Sequence, residues 1–219
     1  MKDFLPILKQ SKLFFNIKED EILSLLQCLN SYKKNYSKGE FVFRQGDFID
    51  KTPLLLEGKL LIQHDDFWGN RNIHNIILPS QIFGESYFSS NTKTIFNDVI
   101  ASENSTVIFF DIKKLLTVCS SVCKFHTMII QNLFFLISEK NMNLVQKLGY
   151  ISKRNTRDKI LSYLSDQAKI QGTNKIVISF NRQELADFLC INRSAMIKEL
   201  SKMQKEHLIR FEKKYIELL

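Results

Sequence analysis

Asn181-Arg-Gln-Glu-Leu-Ala-Asp-Phe-Leu-Cys-Ile-Asn-Arg-Ser-Ala-Met-Ile-Lys-Glu-Leu200 decides how this chain is read. Asn181 followed three residues later by Glu184 resembles a capping box, with Asn in place of the usual Ser or Thr, and it opens a helix that ends near Leu189. Asn192 can cap a second helix after a turn at Cys190 and Ile191. Leu185, Ala186, Leu189, Ile191, Met196 and Leu200 make an inner face, and the small Ala186 lets the two helices cross closely. That is helix-turn-helix geometry, in which the first turns of the second helix enter the major groove. Arg193, Ser194, Ile197 and Lys198 are left facing outward. Arg and Lys suit guanine edges or phosphate, Ser can bond either, and Ile197 can cover a thymine methyl. Beyond the pair, Leu208-Ile-Arg-Phe211, the turn Glu212-Lys213-Lys214 and Tyr215-Ile-Glu-Leu218 read as a two-stranded wing with a basic tip. A helix pair that merely packs explains the inner face but not the basic outer face or the wing.

Upstream the texture changes three times. Lys175-Ile-Val-Ile-Ser179 reads as a short strand, and 156–168 as a helix. Between Asp111 and Gly149 the chain has no glycine or proline, and Ile130, Leu133, Ile137, Leu144 and Leu148 are separated by 3, 4, 7 and 4. That is a heptad seam, and a long helix with one apolar edge pairs with a copy of itself. The skipped heptad position is Lys140, which either snorkels to the seam's edge or meets an anion there. Gly149 offers a helix end and a hinge. From about Tyr36 to Phe110, short apolar runs (41–43, 54–56, 60–62, 73–78 and 107–110) alternate with turn residues. Five of the seven glycines (Gly39, Gly46, Gly58, Gly69, Gly84) fall here, which marks an antiparallel roll with a hairpin tip at Gly69-Asn70. Residues 3–30 read as helical from the threes and fours separating Leu5, Leu8, Ile22, Leu25, Leu26 and Leu29. The fold class is therefore α+β: an N-terminal antiparallel β-roll of jelly-roll type with flanking helices (1–120), a long dimerisation helix (121–149) and a C-terminal winged helix-turn-helix (150–219).

Composition narrows the function classes. The chain of 219 residues holds 31 Lys plus Arg against 23 Asp plus Glu, and from Tyr150 onward there are 14 basic and 8 acidic residues. The last third thus carries six of the eight net charges, as expected of a module that meets phosphate. No run approaches the length of a membrane span, and Met1 to Gln10 lacks the apolar core of a signal peptide, so the expected setting is the cytoplasm. Cys28, Cys119, Cys123 and Cys190 form no dense framework, which fits a reducing compartment. Paired catalytic carboxylates, a nucleophile with its base, and a phosphate-binding Gly-rich loop are all missing, so an enzyme is not expected.

This order of parts resembles the Crp/Fnr transcription regulators over nearly the whole chain. The segments that carry the likeness are Lys38-Gly-Glu40, Gly46-Asp47, Glu57-Gly58 and Ile82-Phe-Gly-Glu85 in the roll, with Asn181-Arg-Gln-Glu-Leu-Ala186 and Asn192-Arg-Ser-Ala195 in the head. The resemblance implies a homodimer on palindromic double-stranded promoter DNA, with RNA polymerase as a further partner. It makes Arg193, Ser194 and Lys198 base readers, and it places Arg182 and Gln183 against phosphate. It also implies an effector near Gly84 and Glu85, and points away from cyclic AMP. Where cyclic-AMP-binding members carry an Arg-Ser pair on the cyclic phosphate, this chain has Thr94-Ile95-Phe96-Asn97, and no arginine lies between Arg71 and Arg154. Lys93 or Lys140 could hold an anion differently, or Phe83, Phe88 and Phe96 could fill the roll and leave it without a ligand. No cofactor is implied beyond an unidentified small effector, and the N-terminal cysteine cluster of iron-sulfur members is reduced to Cys28.

Cys119, Cys123 and His126 share one helix face, as small hydrophobes or as a zinc, haem or thiol-switch site. His64 and His74, near Trp68, are surface imidazoles or haem ligands. The alternative function is a cyclic-nucleotide or other small-ligand sensor that acts through protein contact.

Overall fold

The strands of the N-terminal half form two sheets, and the centre of one is β7 (Ser105–Phe110), whose Val-Ile-Phe-Phe run is buried on both faces. The computed structural model describes residues 2–69, 71–88, 94–111, 114, 124–212 and 215–219, the side chains at 2, 88 and 124–126 excepted. Ahead of β7 come α1 (Leu5–Gln10), α2 (Glu19–Cys28), β1 (Tyr32–Tyr36), β2 (Phe41–Phe43), β3 (Thr52–Glu57), β4 (Leu60–Asp65), β5 (Arg71–Ile77) and β6 (Asp98–Ala101). One sheet runs β1-β7-β3 and the other β2-β6-β4-β5, and β7 pairs antiparallel with both of its neighbours. Strand alternation then sorts the side chains. Val107 and Phe109 join Leu55, Leu60, Ile77, Phe83 and Val99 in one core, whereas Ile108 and Phe110 join Leu54, Leu56 and the apolar faces of α1 and α2 in another.

The chain separates into two compact units, Met1–Asn70 with His74–Glu139, and Arg71–Ile73 with Lys140–Leu219. The division falls within α3 (Lys124–Ile151). The second unit holds α4 (Thr156–Gln171), β8 (Lys175–Val177), α5 (Arg182–Phe188), α6 (Arg193–Lys205), β9 (Ile209–Glu212) and β10 (Tyr215–Leu218), with strand order β8-β10-β9. Its core gathers Ile160, Leu164, Ile176, Leu185, Ala186, Leu189, Met196, Leu200, Met203 and Ile216, all with 1% exposure or less.

Three sequence expectations change. The helical reading of 3–30 is interrupted: Ser11 Oγ accepts from Leu13 N, a 3-10 turn covers Lys12–Phe14, and Asn16 takes a positive φ of 60°. That turn brings Leu13, Phe14 and Ile17 into the core shared with α2, which one continuous helix would spread around its circumference. β1 precedes the predicted strands because its Tyr-Lys-Lys-Asn-Tyr sequence buries only Tyr36. Pairing with β7 and the Tyr32–Phe109 ring stack (5.1 Å, 14°) hold it, and lysines on an edge strand deter further pairing. Gly149 ends nothing, since α3 continues to Ile151 and Ser152 N still donates to Leu148 O at 3.0 Å. A new helix starts only at Asn155, whose side chain caps Asp158 N at 2.8 Å.

Gly58 makes the β3–β4 turn with φ +90°, and a Cβ there would meet the backbone of Asn104 and come within 2.8 Å of Ser105 Cα. Gly39 has the same φ and open space around it. Gly39→Ala is expected to lower stability by about 1 kcal/mol, the left-handed cost alone, and Gly58→Ala by roughly 2–4 kcal/mol. Urea unfolding of the two variants measures the difference, and equal losses would mean that the turn yields without resistance.

Lys147 lies near the end of α3 and sets its Nζ 4.4 Å from the ring centroid of Phe188, where burial lowers its pKa to about 8. Folded, it holds its proton less tightly than unfolded, so stability rises with pH from about 8 toward the ordinary lysine value of 10.5. Tyr150 and Tyr163, whose phenols burial holds above the usual tyrosine range, oppose this above pH 10.0. Because the tyrosines are common to both chains, the difference between wild type and Lys147→Met isolates Lys147. Denaturant midpoints across pH 7 to 10 should converge as wild type gains on the variant. A constant gap across that range would show that Lys147 does not titrate there.

Candidate nucleic-acid interface

Two asparagine caps build the reading head. Asn181 Oδ1 accepts from Glu184 N at 2.9 Å while Glu184 Oε2 accepts from Asn181 N at 2.8 Å, a completed capping box that starts α5. Asn192 Oδ1 accepts from Ser194 N at 2.9 Å and from its hydroxyl at 2.5 Å, and this starts α6. Cys190 stands between the helices with φ +52°, a left-handed turn position, and Lys159 Nζ donates to its carbonyl at 3.2 Å. A cation on the last carbonyls of α5 favours ending the helix there.

The pose of α6 is fixed from both sides. Met196, Leu200 and Met203 point inward and are fully buried. On its flank, Glu199 and Glu206 share one cation of α4: Arg157 Nη1 lies 3.4 Å from Glu199 Oε1, and Nη2 bonds Glu206. That bond holds the Glu206 carboxyl below the usual range and Arg157 above its own. Behind α5, the rings of Tyr163, Phe180 and Phe188 meet at 4.6–6.4 Å, and Tyr150 packs edge-on against Tyr163.

With the inner side fixed, α6 presents Arg193, Ser194, Ile197 and Lys198 to solvent. At 100° per residue, Ser194 and Lys198 lie directly opposite the buried line, and Arg193 and Ile197 lie toward one edge. Two residues that sequence reasoning missed, Ser201 and Lys205, continue the outward line and are exposed. Their signal was the spacing 194, 198, 201, 205. The predicted phosphate contacts at the start of α5 have partners inside the head. The Arg182 guanidinium stacks 5.3 Å from the Phe211 ring centroid, where burial lowers its pKa, and Gln183 Nε2 donates to Asp187 Oδ1 at 2.7 Å. Arg182 thereby ties α5 to the wing, in which β9 and β10 pair with Tyr215 opposite Glu212. Lys213 and Lys214 lie outside the described residues.

The roll is the second candidate site. Its interior is aromatic: Phe43 meets Phe83 (6.4 Å, 70°) and Phe109 (6.1 Å, 83°) edge to face. Phe83 fills the roll as expected, but Phe96 is 60% exposed and packs on Tyr87 outside it, its N–H donating to the Tyr87 hydroxyl at 3.2 Å. Ile95 beside it is buried. Gly84 turns with φ +71° and has Ile49 Cδ1 2.7 Å from where a Cβ would stand, and Glu85 opens a 3-10 turn, Glu85–Phe88. Lys140 is half-buried on α3. Lys93, Cys119, Cys123 and the side chains of His126 and Phe88 lie outside the described residues. His64 and His74 stand 6.4 Å apart, ring to ring. Among the described residues, no three His, Cys, Asp or Glu gather as metal ligands would.

Of the five seam residues, Ile130, Ile137, Leu144 and Leu148 are exposed along α3. Leu133 is not part of that line: it packs against the core of α1, α2 and the β1-β7-β3 sheet. It lies 3 residues from Ile130, close enough in angle for either face, and the apolar surface already present in its own chain takes it. No helix among the described residues is long and apolar enough to cross a membrane.

Known proteins share both halves. Residues 33–122 match the cyclic nucleotide-binding domain, and residues 158–219 match the Crp-like helix-turn-helix domain. The transcriptional activator protein Anr of Pseudomonas protegens is 22% identical over 187 residues, 83% of this chain and 74% of its own. Among solved structures, the c-di-GMP-responsive global regulator CLP of Xanthomonas campestris is similar with TM-score 0.71 and 17% identity, covering 89% of this chain and 97% of CLP. FixK2 of Bradyrhizobium japonicum is similar with TM-score 0.66 and 13% identity, covering 86% and 92%.

Proposed function

The chain belongs to the Crp/Fnr family of DNA-binding transcription regulators, which are not enzymes, and from that premise we propose that it works as a cytoplasmic homodimer on palindromic promoter DNA. Residues 1–120 act as the sensor, 121–149 as the dimerisation helix and 150–219 as the reader. The observation that carries this reading is the outward line of α6, basic and hydroxylic, presented by two caps and held in pose by Arg157. Arg193, Ser194, Ile197 and Lys198 read bases from its first turns, and Ser201 and Lys205 follow the groove. Arg182 and Gln183 sit at the phosphate edge of the head, with Lys213 and Lys214 on the wing. RNA polymerase is the partner at the promoter.

The roll biases DNA affinity through an effector that is not cyclic AMP. Gly84 and Glu85, with Lys93 or Lys140, are the residues assigned to it. Two observations support the exclusion: Phe43, Phe83 and Phe109 occupy the interior, and the Ile95-Phe96 pair offers no cation to a cyclic phosphate. An effector that binds one pose of the heads more tightly shifts the population toward it.

Arg193→Ala should cost about 1–3 kcal/mol on a site selected from random DNA and relax discrimination at one position of each half-site. Lys205→Ala should weaken selected and scrambled DNA alike and flatten the salt dependence, as a phosphate contact does. Fluorescence anisotropy across several salt concentrations separates the two behaviours. If Arg193→Ala lowers both affinities by one factor, Arg193 positions the head and reads nothing.

Calorimetric titration with cyclic AMP is expected to give no heat of binding. Micromolar affinity would refute the assignment of the 94–97 stretch.

A further inference from the structure

The exposed line of α3 has a stricter period than its sequence first offers. Ile130, Phe134, Ile137, Asn141, Leu144 and Leu148 are separated by 4, 3, 4, 3 and 4, and all six are exposed. These are successive d and a positions of a heptad, with Phe134, Asn141 and Leu148 at a. The opposite side of the helix's first half is committed to its own chain: Ile129 is buried, Leu133 and Leu136 pack on the core, Asn132 Nδ2 donates to Leu13 O (3.0 Å) and Phe15 O (2.9 Å), and Glu139 pairs with Lys12 at 2.5 Å. The rotation of this first half of α3 is therefore set, and it leaves Ile130, Phe134 and Ile137 exposed. Five of its six members are large and apolar. The sixth is an amide.

A second copy of the same line fits this pattern in one arrangement only. In a parallel, in-register pair, each a residue faces its own counterpart, so the two Asn141 carboxamides donate to and accept from each other. In an antiparallel pair, a faces d, and Asn141 would be buried against Ile137 or Leu144 with no partner. A parallel pair slipped by one heptad would set it against Phe134 or Leu148. Burying an amide unpaired costs the hydration it gives up, with no hydrogen bond in return. Flanking charges do not make the choice: the g positions hold Leu133, Lys140 and Lys147, and the e positions Gln131, Ser138 and Val145, with no acid among them. We propose that Asn141 pairs with the Asn141 of a second copy across the two-fold axis and thereby fixes the dimer as two-stranded, parallel and in register. This rests on the dimer reading above, and it names the residue that specifies that dimer.

Three variants of the full chain test it, with sedimentation and oxidative cross-linking mapped by mass spectrometry. In wild type carrying Leu148→Cys, residue 148 is expected to cross-link to its own copy. Asn141→Leu keeps the protomer intact, because the site is solvent-exposed, and should yield species larger than a dimer or a cross-link shared with other positions. Asn141→Asp sets two carboxylates face to face only in the parallel register, so its dimer should dissociate at least roughly tenfold more readily near pH 8 than near pH 5. A monomeric wild type overturns the dimer reading and this assignment with it. If wild type is a dimer, an Asn141→Leu chain that remains solely dimeric with the same cross-link, or an Asn141→Asp dimer indifferent to pH, overturns the role of Asn141 alone.

Discussion

The rotation of α3 about its own axis is the constraint from which the rest follows. Ile129, Leu133 and Leu136 are drawn to the core of α1, α2 and β7, and two carbonyls of the 13–15 turn are satisfied by the Asn132 amide. A helix has one circumference, so committing this side decides what the other must show. The side left over is not polar, as the free face of a surface helix would be. It carries the 4-3 line and, outside that line, the further exposed apolar side chains Phe135, Met142 and Val145. An exposed apolar band of this extent marks an interaction surface.

The head solves the parallel problem on a smaller scale. Its recognition helix must keep one side in the core and the other bare for DNA, and three kinds of interaction divide that work. Apolar burial of Met196, Leu200 and Met203 sets the rotation, the Asn181 and Asn192 caps set where each helix begins, and Arg157 anchors the flank through Glu199 and Glu206. The ion pairs are partly exposed and contribute little to stability by themselves. Their value lies in pose, because a base-reading side chain displaced by an ångström misses its hydrogen bond.

The roll differs from the head in that its interior is closed by its own side chains. Phe43, Phe83 and Phe109 interlock edge to face, a geometry that aromatic pairs prefer. A polar effector entering there would have to displace packed rings, at the cost that any loss of core contact carries. Gly84 and Glu85, the residues assigned above to the proposed effector, are not among those packed rings.

The amino-acid sequence by itself determined every element whose pattern is local. The two caps, the inner apolar line of the head, the wing strands and the glycine turns of the roll follow from residues a few positions apart. Tertiary structure decided what depends on a neighbour distant in sequence. Tyr32-Lys-Lys-Asn-Tyr36 is a strand because β7 offers it a ladder, and Phe96 lies outside the roll because Tyr87 holds it there. Arg182, predicted to face phosphate, stacks on Phe211 of a strand that begins 27 residues later. Leu133 shows the reason most directly. By spacing it belongs to the seam as well as Phe134 does, and periodicity cannot choose between two faces that are both apolar; the choice is made by the core of the N-terminal unit, which buries one face and leaves the other bare.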